Sequence, residues 1–294
     1  MGKLFVIASA CCFGCSNAYW KKATAEVPFI LVIFFRGIIT TTLFGIVWFL
    51  VSKYNFFSSY ILNTSNITSL QLFYTFSICI FSGFGLFFFV RSMQYEKVSI
   101  VVPLTSVNIF SILTATFLLH EAWLPEYTIS IGLTIVGVWF IFTNNQKPTS
   151  INNIKGSLYT SLLASFFWGI SYALFKLPIK WLGALPFSFI LELSITLFAL
   201  VTAFVNGSYQ EITKNINIKT IHHYFILALL AAGGTFFINL ALINTPIAAI
   251  NILSNTSQLV ALLLAYLLYK EKLVLKQWIG VLSIISAIVL ISLM

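Results

Sequence analysis

Aspartate is absent from this 294-residue chain, and charged residues of every kind make up only 8% of it. The seven acids are all glutamates, and there are three histidines and four cysteines. Each shortage excludes something. A soluble domain of this length needs a charged surface over its core, and the charges to build one are missing. Metal-assisted or acid/base catalysis draws on clustered Asp, His and Glu, whereas His120 stands far in sequence from His222 and His223. No G-x-x-x-x-G-K-[ST] segment occurs, so nothing points to direct drive by ATP. Cys11, Cys12, Cys15 and Cys79 all fall inside apolar runs. Cys11 and Cys15 share a helix face, but two thiols without a His or carboxylate neighbour read as packing residues, not as a metal pair. No metal and no other cofactor is expected.

What the chain has is apolar length. It is 60% hydrophobic with a mean hydropathy of +1.00, and apolar runs long enough to cross about 30 Å of hydrocarbon recur along it. The spans fall near 3–20, 28–51, 70–91, 98–119, 126–143, 156–176, 185–205, 223–243, 246–268 and 275–293. They predict an all-α integral membrane protein of about ten transmembrane helices, with connections too short for a soluble domain. The first run continues unbroken to Trp20 and reads as a retained helix, not a cleaved signal. The net charge of +9 comes from lysines scattered over short loops. With no basic stripe to hold a polyanion, the expected partners are the lipid bilayer and a small molecule, not nucleic acid.

The chain is also written twice. Gly14 is followed seven positions later by Lys21, and Gly169 by Lys176, with Ser16 and Ala18 opposite Ser171 and Ala173. His120-Glu121 closes the fourth span and Lys270-Glu271 the ninth; setting Glu121 on Glu271 places Thr105 and Asn108 on Asn255 and Gln258. The expected division is a first five-helix repeat over 1–146, a linker over 147–155 around Pro148, and a second repeat over 156–294. Five spans per half force the second copy into the membrane from the opposite side, which is the inverted-repeat arrangement of secondary transporters.

These residues carry a family resemblance. Gly14 through Lys21, Arg36-Gly37, Glu121 with Gly132, Trp168-Gly169 through Lys176, and Glu271 with Gly280 resemble the drug/metabolite transporter superfamily, and within it the ten-helix EamA-type transporters. The resemblance covers nearly the whole chain and implies a transporter, not an enzyme. It also implies both termini inside the cell. Basic residues give the opposite orientation: apart from Arg36, only Lys3, Lys53, Lys176 and Lys180 lie on the side of the termini, and the cytoplasmic side is the more basic one. A C-terminal reporter active on one side only separates the two.

Candidate site residues follow from what lipid will not tolerate. Arg36 sits about 12 Å into the second span at about 1.5 Å per residue, and Glu192 at a comparable depth in the seventh. Measured from opposite faces, both reach toward the midplane as an ion pair, a substrate clamp or, for Glu192, a proton carrier; snorkelling and local pairing are the bland alternatives. Lys21 and Lys176 end their helices and are candidates for gating at the mouth of a cavity. Asn251, Asn255 and Gln258, with Ser254 beside them, share a face of the ninth span and read as a cavity wall or an interhelical network. Thr105 and Asn108 mirror two of them, Asn239 lies in the eighth span beside Gly233-Gly234, and Asn17, Trp20, Trp168 and Tyr172 mark polar-aromatic stripes on the first and sixth. The tripeptides at Asn63 and Asn66 match a glycosylation pattern of the kind that asparagine-rich chains yield by chance.

The expected function is alternating-access transport of a small polar or amphipathic metabolite, such as an amino acid, across a bacterial cytoplasmic membrane. The protein is expected to act as a monomer or homodimer, with protons as a coupling ion through Glu192. A drug or quaternary-amine carrier of the same fold, using cation–π contact, is the alternative, ahead of a polytopic enzyme or a channel.

Overall fold

The computed structural model describes residues 1–25, 27–54, 67–105, 109–142, 151–211, 218–271 and 274–293. Asn63, Asn66, Asn108 and positions 147–150 of the expected linker lie outside the described residues. The first half contains α1 (Gly2–Ala23), α2 (Phe29–Tyr54), α3 (Ser69–Ser92), α4 (Val98–Thr105), α5 (Ile109–Leu118) and α6 (Pro125–Phe142). The second contains α7 (Ile151–Leu174), α8 (Lys176–Leu182), α9 (Ala184–Val205), α10 (Ile218–Asn244), α11 (Ile247–Ser254), α12 (Thr256–Tyr269) and α13 (Leu275–Ser292). No strand occurs among the described residues. Among the described residues, eight segments are long and apolar enough to cross a membrane, with α4–α5 and α11–α12 each forming one of them. The 22-residue α1 and the shorter apolar Pro125–Ile141 complete the ten expected spans.

Three local features differ from the sequence reading. α7 begins at Ile151, inside the segment expected as linker. The sixth span ends at Leu174, and Lys176 instead opens the short α8, which stops at Gly183, whose φ of 86° needs a residue without Cβ. The ninth span is interrupted at Asn255, where the backbone N–H groups of Asn255 and Gln258 reach three residues back, to Ile252 and Asn255. These tighter bonds replace one α-helical turn and separate α11 from α12.

The outside of the bundle is apolar. Phe49, Phe73, Phe117, Trp139 and Leu267 are exposed, as lipid requires and water would forbid. Small hydroxyl residues such as Ser9, Thr40, Ser171 and Ser188 are buried instead, where they allow helices to approach and donate to backbone carbonyls. Ser9 Oγ, for example, donates to Gly234 O on α10 at 2.8 Å.

Packing follows the inversion. Lys3 Nζ donates to the carbonyls of Ile291 and Ser292 at the close of α13, so the start of α1 and the end of α13 share one end of the bundle, here the terminal end. α1 packs on α10 and α12 of the second half, and α7 packs correspondingly on α3 and α5 of the first; α2 pairs with α9, and α6 with α13. Among the described residues, the principal helix contacts therefore cross between the halves. Glycine makes the tightest crossings possible. A Cβ at Gly14 would lie 2.7 Å from Ser257 O, and one at Gly169 would lie 2.7 Å from Phe110 Cβ. On α6 the residue facing Gly280 is Gly137, not the Gly132 of the sequence motif, which has open space around it.

Candidate functional site

Two glutamates at the ends of broken spans are placed by identical backbone devices. The residue before each, His120 (φ 53°) or Lys270 (φ 54°), is left-handed. The next N–H, of Glu121 or Glu271, then reaches six residues back, to Ala115 O at 3.1 Å or Ala265 O at 3.3 Å. This left-handed helix ending turns each carboxylate across to the other half. Glu121 accepts from Lys176 Nζ and, through its second oxygen, from the N–H of Ile247 at the start of α11 at 2.8 Å. Glu271 stands 3.9 Å from Lys21 and accepts from Ser99 N at the start of α4 at 3.2 Å. Each lysine of the repeated motif thus meets the glutamate of the opposite half, and each glutamate caps a helix N-terminus there, where the backbone dipole favours an anion. The Lys176–Glu121 pair closes the terminal end of the bundle and the Lys21–Glu271 pair the far end. Both lysines are about one-third exposed (33% and 35%), so the pairs are weak as stability devices and free to break.

Between these ends lies a cavity of about 140 Å³. Of the residues singled out from sequence, Asn17, Trp20, Arg36, Thr105, Trp168, Tyr172, Glu192, Asn251 and Ser254 line it. They come from both halves. Trp168 is held by α3: its ring sits over Gly85, where a Cβ would lie 2.4 Å from Cδ1, and packs on Phe89 at 5.1 Å between centroids. Tyr172 stacks on Trp168 one turn along (6.0 Å, 11°), giving the wall a continuous aromatic surface.

Arg36 and Glu192 meet across the α2–α9 contact. Arg36 Nη2 donates to Glu192 Oε2 at 2.7 Å, and Thr235 Oγ1 of α10 donates to Glu192 Oε1 at 3.2 Å. The side chains are 5% and 2% exposed. The neighbouring Gly37 permits this distance, because a Cβ there would lie 2.3 Å from Thr196 Oγ1 on α9. Among the described residues, Arg36 Nε has no hydrogen-bond partner. These are the only charged side chains on the cavity wall among the described residues.

Other sequence candidates lie elsewhere. Asn255 and Gln258 are buried but off the cavity wall: Gln258 Nε2 donates to Asn255 Oδ1 at 2.7 Å, and Asn255 Nδ2 to Thr134 Oγ1 of α6 at 3.1 Å. The stripe that faces the cavity is Ile247, Ile250, Asn251, Ser254 and Ser257, one step round the helix. Asn239 donates to Ser188 Oγ of α9 at 2.8 Å, away from the wall. Lys21 and Lys176 are likewise absent from it. Sequence reasoning missed Phe13, Ser82, Ser111 and Thr235 on the wall; of these, Ser111 Oγ accepts from Asn251 Nδ2 at 2.8 Å. Isolated hydroxyls in apolar helices carry no signal that separates a cavity from a packing contact. Only their register with Trp168 or Glu192 could have flagged them.

Comparison with known proteins agrees with this architecture. The model of a family described as the EamA-like transporter family matches twice, over residues 1–143 and 155–293. A solved structure described only as the crystal structure of a protein superposes with a TM-score of 0.69 at 12% identity, covering 99% of this chain and 96% of that one; a likeness at that identity shows the fold. No curated protein matches the sequence.

Proposed function

The chain belongs to the EamA-like transporter family, and from that premise we propose that it is a secondary transporter that carries a small polar or amphipathic metabolite, such as an amino acid, across the cytoplasmic membrane of a bacterial cell. The observation that carries the proposal is a central cavity lined by both halves and bounded at each end by a Lys–Glu pair that joins them. Inverted halves have two equivalent arrangements, in which one end is shut and the other parted. Movement between them presents the cavity to each side in turn. Substrate meets Asn17, Asn251 and Ser254, packs against Trp168 and Tyr172, and has Arg36 and Glu192 for its charged groups. The lysines do not touch it; they act at the ends.

Purified protein in liposomes preloaded with unlabelled L-leucine or L-serine is expected to concentrate the same labelled amino acid transiently, with saturation. Counterflow of that kind requires a carrier that returns with cargo. Linear, non-saturating equilibration would mean a channel and would overturn the proposal.

A further inference from the structure

The reading as a carrier leaves open what charge its cargo bears, and the cavity wall bears on that question. We infer that the buried Arg36–Glu192 pair is itself the recognition element, and that the ligand is a zwitterion with an uncharged side chain, namely a neutral α-amino acid. The inference rests on the proposed transport function but concerns binding, which can be tested apart from it.

Arg36 and Glu192 both face the cavity and are bonded to one another at 2.7 Å. A guanidinium carries five N–H donors, and among the described residues this one has a single side-chain bond, with Nε buried and unpartnered. Glu192 has one further donor, Thr235. The pair is therefore satisfied as a pair and poorly satisfied as two separate ions. A ligand carrying only a negative charge takes Arg36 and strands the carboxylate at 2% exposure. One carrying only a positive charge takes Glu192 and strands the guanidinium. Either outcome leaves an uncompensated buried charge. A carboxylate and an ammonium on one carbon replace both partners at once: the carboxylate lies in the fork of Arg36, the ammonium against Glu192, and no charge is left alone.

The rest of the wall limits the side chain. It offers hydroxyls, the carboxamides of Asn17 and Asn251, and aromatic faces, and among the described residues no further charge. An extra ammonium or carboxylate on the side chain would have no counter-ion. The volume of about 140 Å³ is close to the ~150 Å³ of a protein cavity that accepts benzene, which suits a small or medium side chain.

The test is binding to purified protein, read by thermal shift, with four probes that share one side chain and differ in charge: L-leucine, its methyl ester (cation), N-acetyl-leucine (anion) and N-acetyl-leucinamide (uncharged). Serine, lysine and glutamate sample the side chain. L-leucine or L-serine is expected to stabilise the protein, with the singly charged probes, lysine and glutamate weaker by about 100-fold or more, as for sites whose polar groups are left unpaired. In the double variant Arg36→Leu/Glu192→Leu the preference should vanish, with the uncharged probe binding at least as well as leucine. Ester or N-acetyl forms within about threefold of leucine would overturn the inference, as would a zwitterion preference that survives in the double variant. If amino acids do not bind while another solute shows saturable counterflow, this inference falls and the carrier stands. If leucine or serine binds with the expected charge preference but is not carried, the inference holds and the transport proposal falls.

Discussion

Arg36→Leu is expected to destabilise the protein by about 3–5 kcal/mol, and Glu192→Leu by a similar amount, because each leaves the other's charge buried without its partner. The double variant is expected to recover most of that loss. With side chains 5% and 2% exposed, neither ion regains water when its partner is removed. A buried ion pair as a whole is nevertheless a poor stabiliser, since the desolvation of two charges offsets most of their attraction, and an apolar pair of similar volume does about as well. Thermal unfolding in detergent of the two single variants and the double closes the cycle. Single variants as stable as the wild type would mean that the charges reach water. The expected pattern, costly singles and a tolerated double, would mean that the pair is kept for what it does in the cavity.

The second large effect concerns the two ends. In protein whose four native cysteines are replaced, Lys176→Cys/Glu121→Cys joined by a short, reducible bifunctional thiol reagent is expected to abolish counterflow, and reductant to restore it. Lys21→Cys/Glu271→Cys is expected to behave the same way at the far end. Each pair ties a helix of one half to a helix start of the other, so fixing either end removes one of the two arrangements that alternating access needs. The uncrosslinked variants should keep substantial transport, because ion pairs with a partly exposed lysine contribute little on their own. Full counterflow with one end covalently fixed would exclude a mechanism in which that end opens.

The spans were legible because lipid demands about twenty apolar residues per crossing, and the inversion because five is odd. The four residues of the end pairs were legible too, as repeated positions, but not as partners. Parity holds that information: Lys21 and Glu271 close odd-numbered spans and so share one end, while Lys176 and Glu121 close even-numbered ones and share the other. Arg36 and Glu192 stood out as charges in apolar helices, and the structure joins them. Asn255 and Gln258 were harder. Helical spacing puts them beside Asn251, but the interruption at Asn255 and a stripe set one position away turn Asn255 toward Thr134 and Gln258 toward Asn255. A face about 100° wide cannot be resolved from residue types alone. Gly132 illustrates the same limit, since a motif glycine and a contact glycine five positions apart look alike until the neighbouring helix is in place.

The central claim is that one cavity is reached alternately from both sides. It is tested most directly by a single cysteine at Ser254 on the cavity wall, in protein otherwise free of cysteine except for one end pair at a time. A membrane-impermeant maleimide is applied from either face of the vesicle. Before cross-linking, the thiol should react from both faces. With Lys176→Cys/Glu121→Cys already joined, it should react only from the far side, and with Lys21→Cys/Glu271→Cys joined, only from the terminal side. Reaction from the same single side whichever end is fixed would contradict the account.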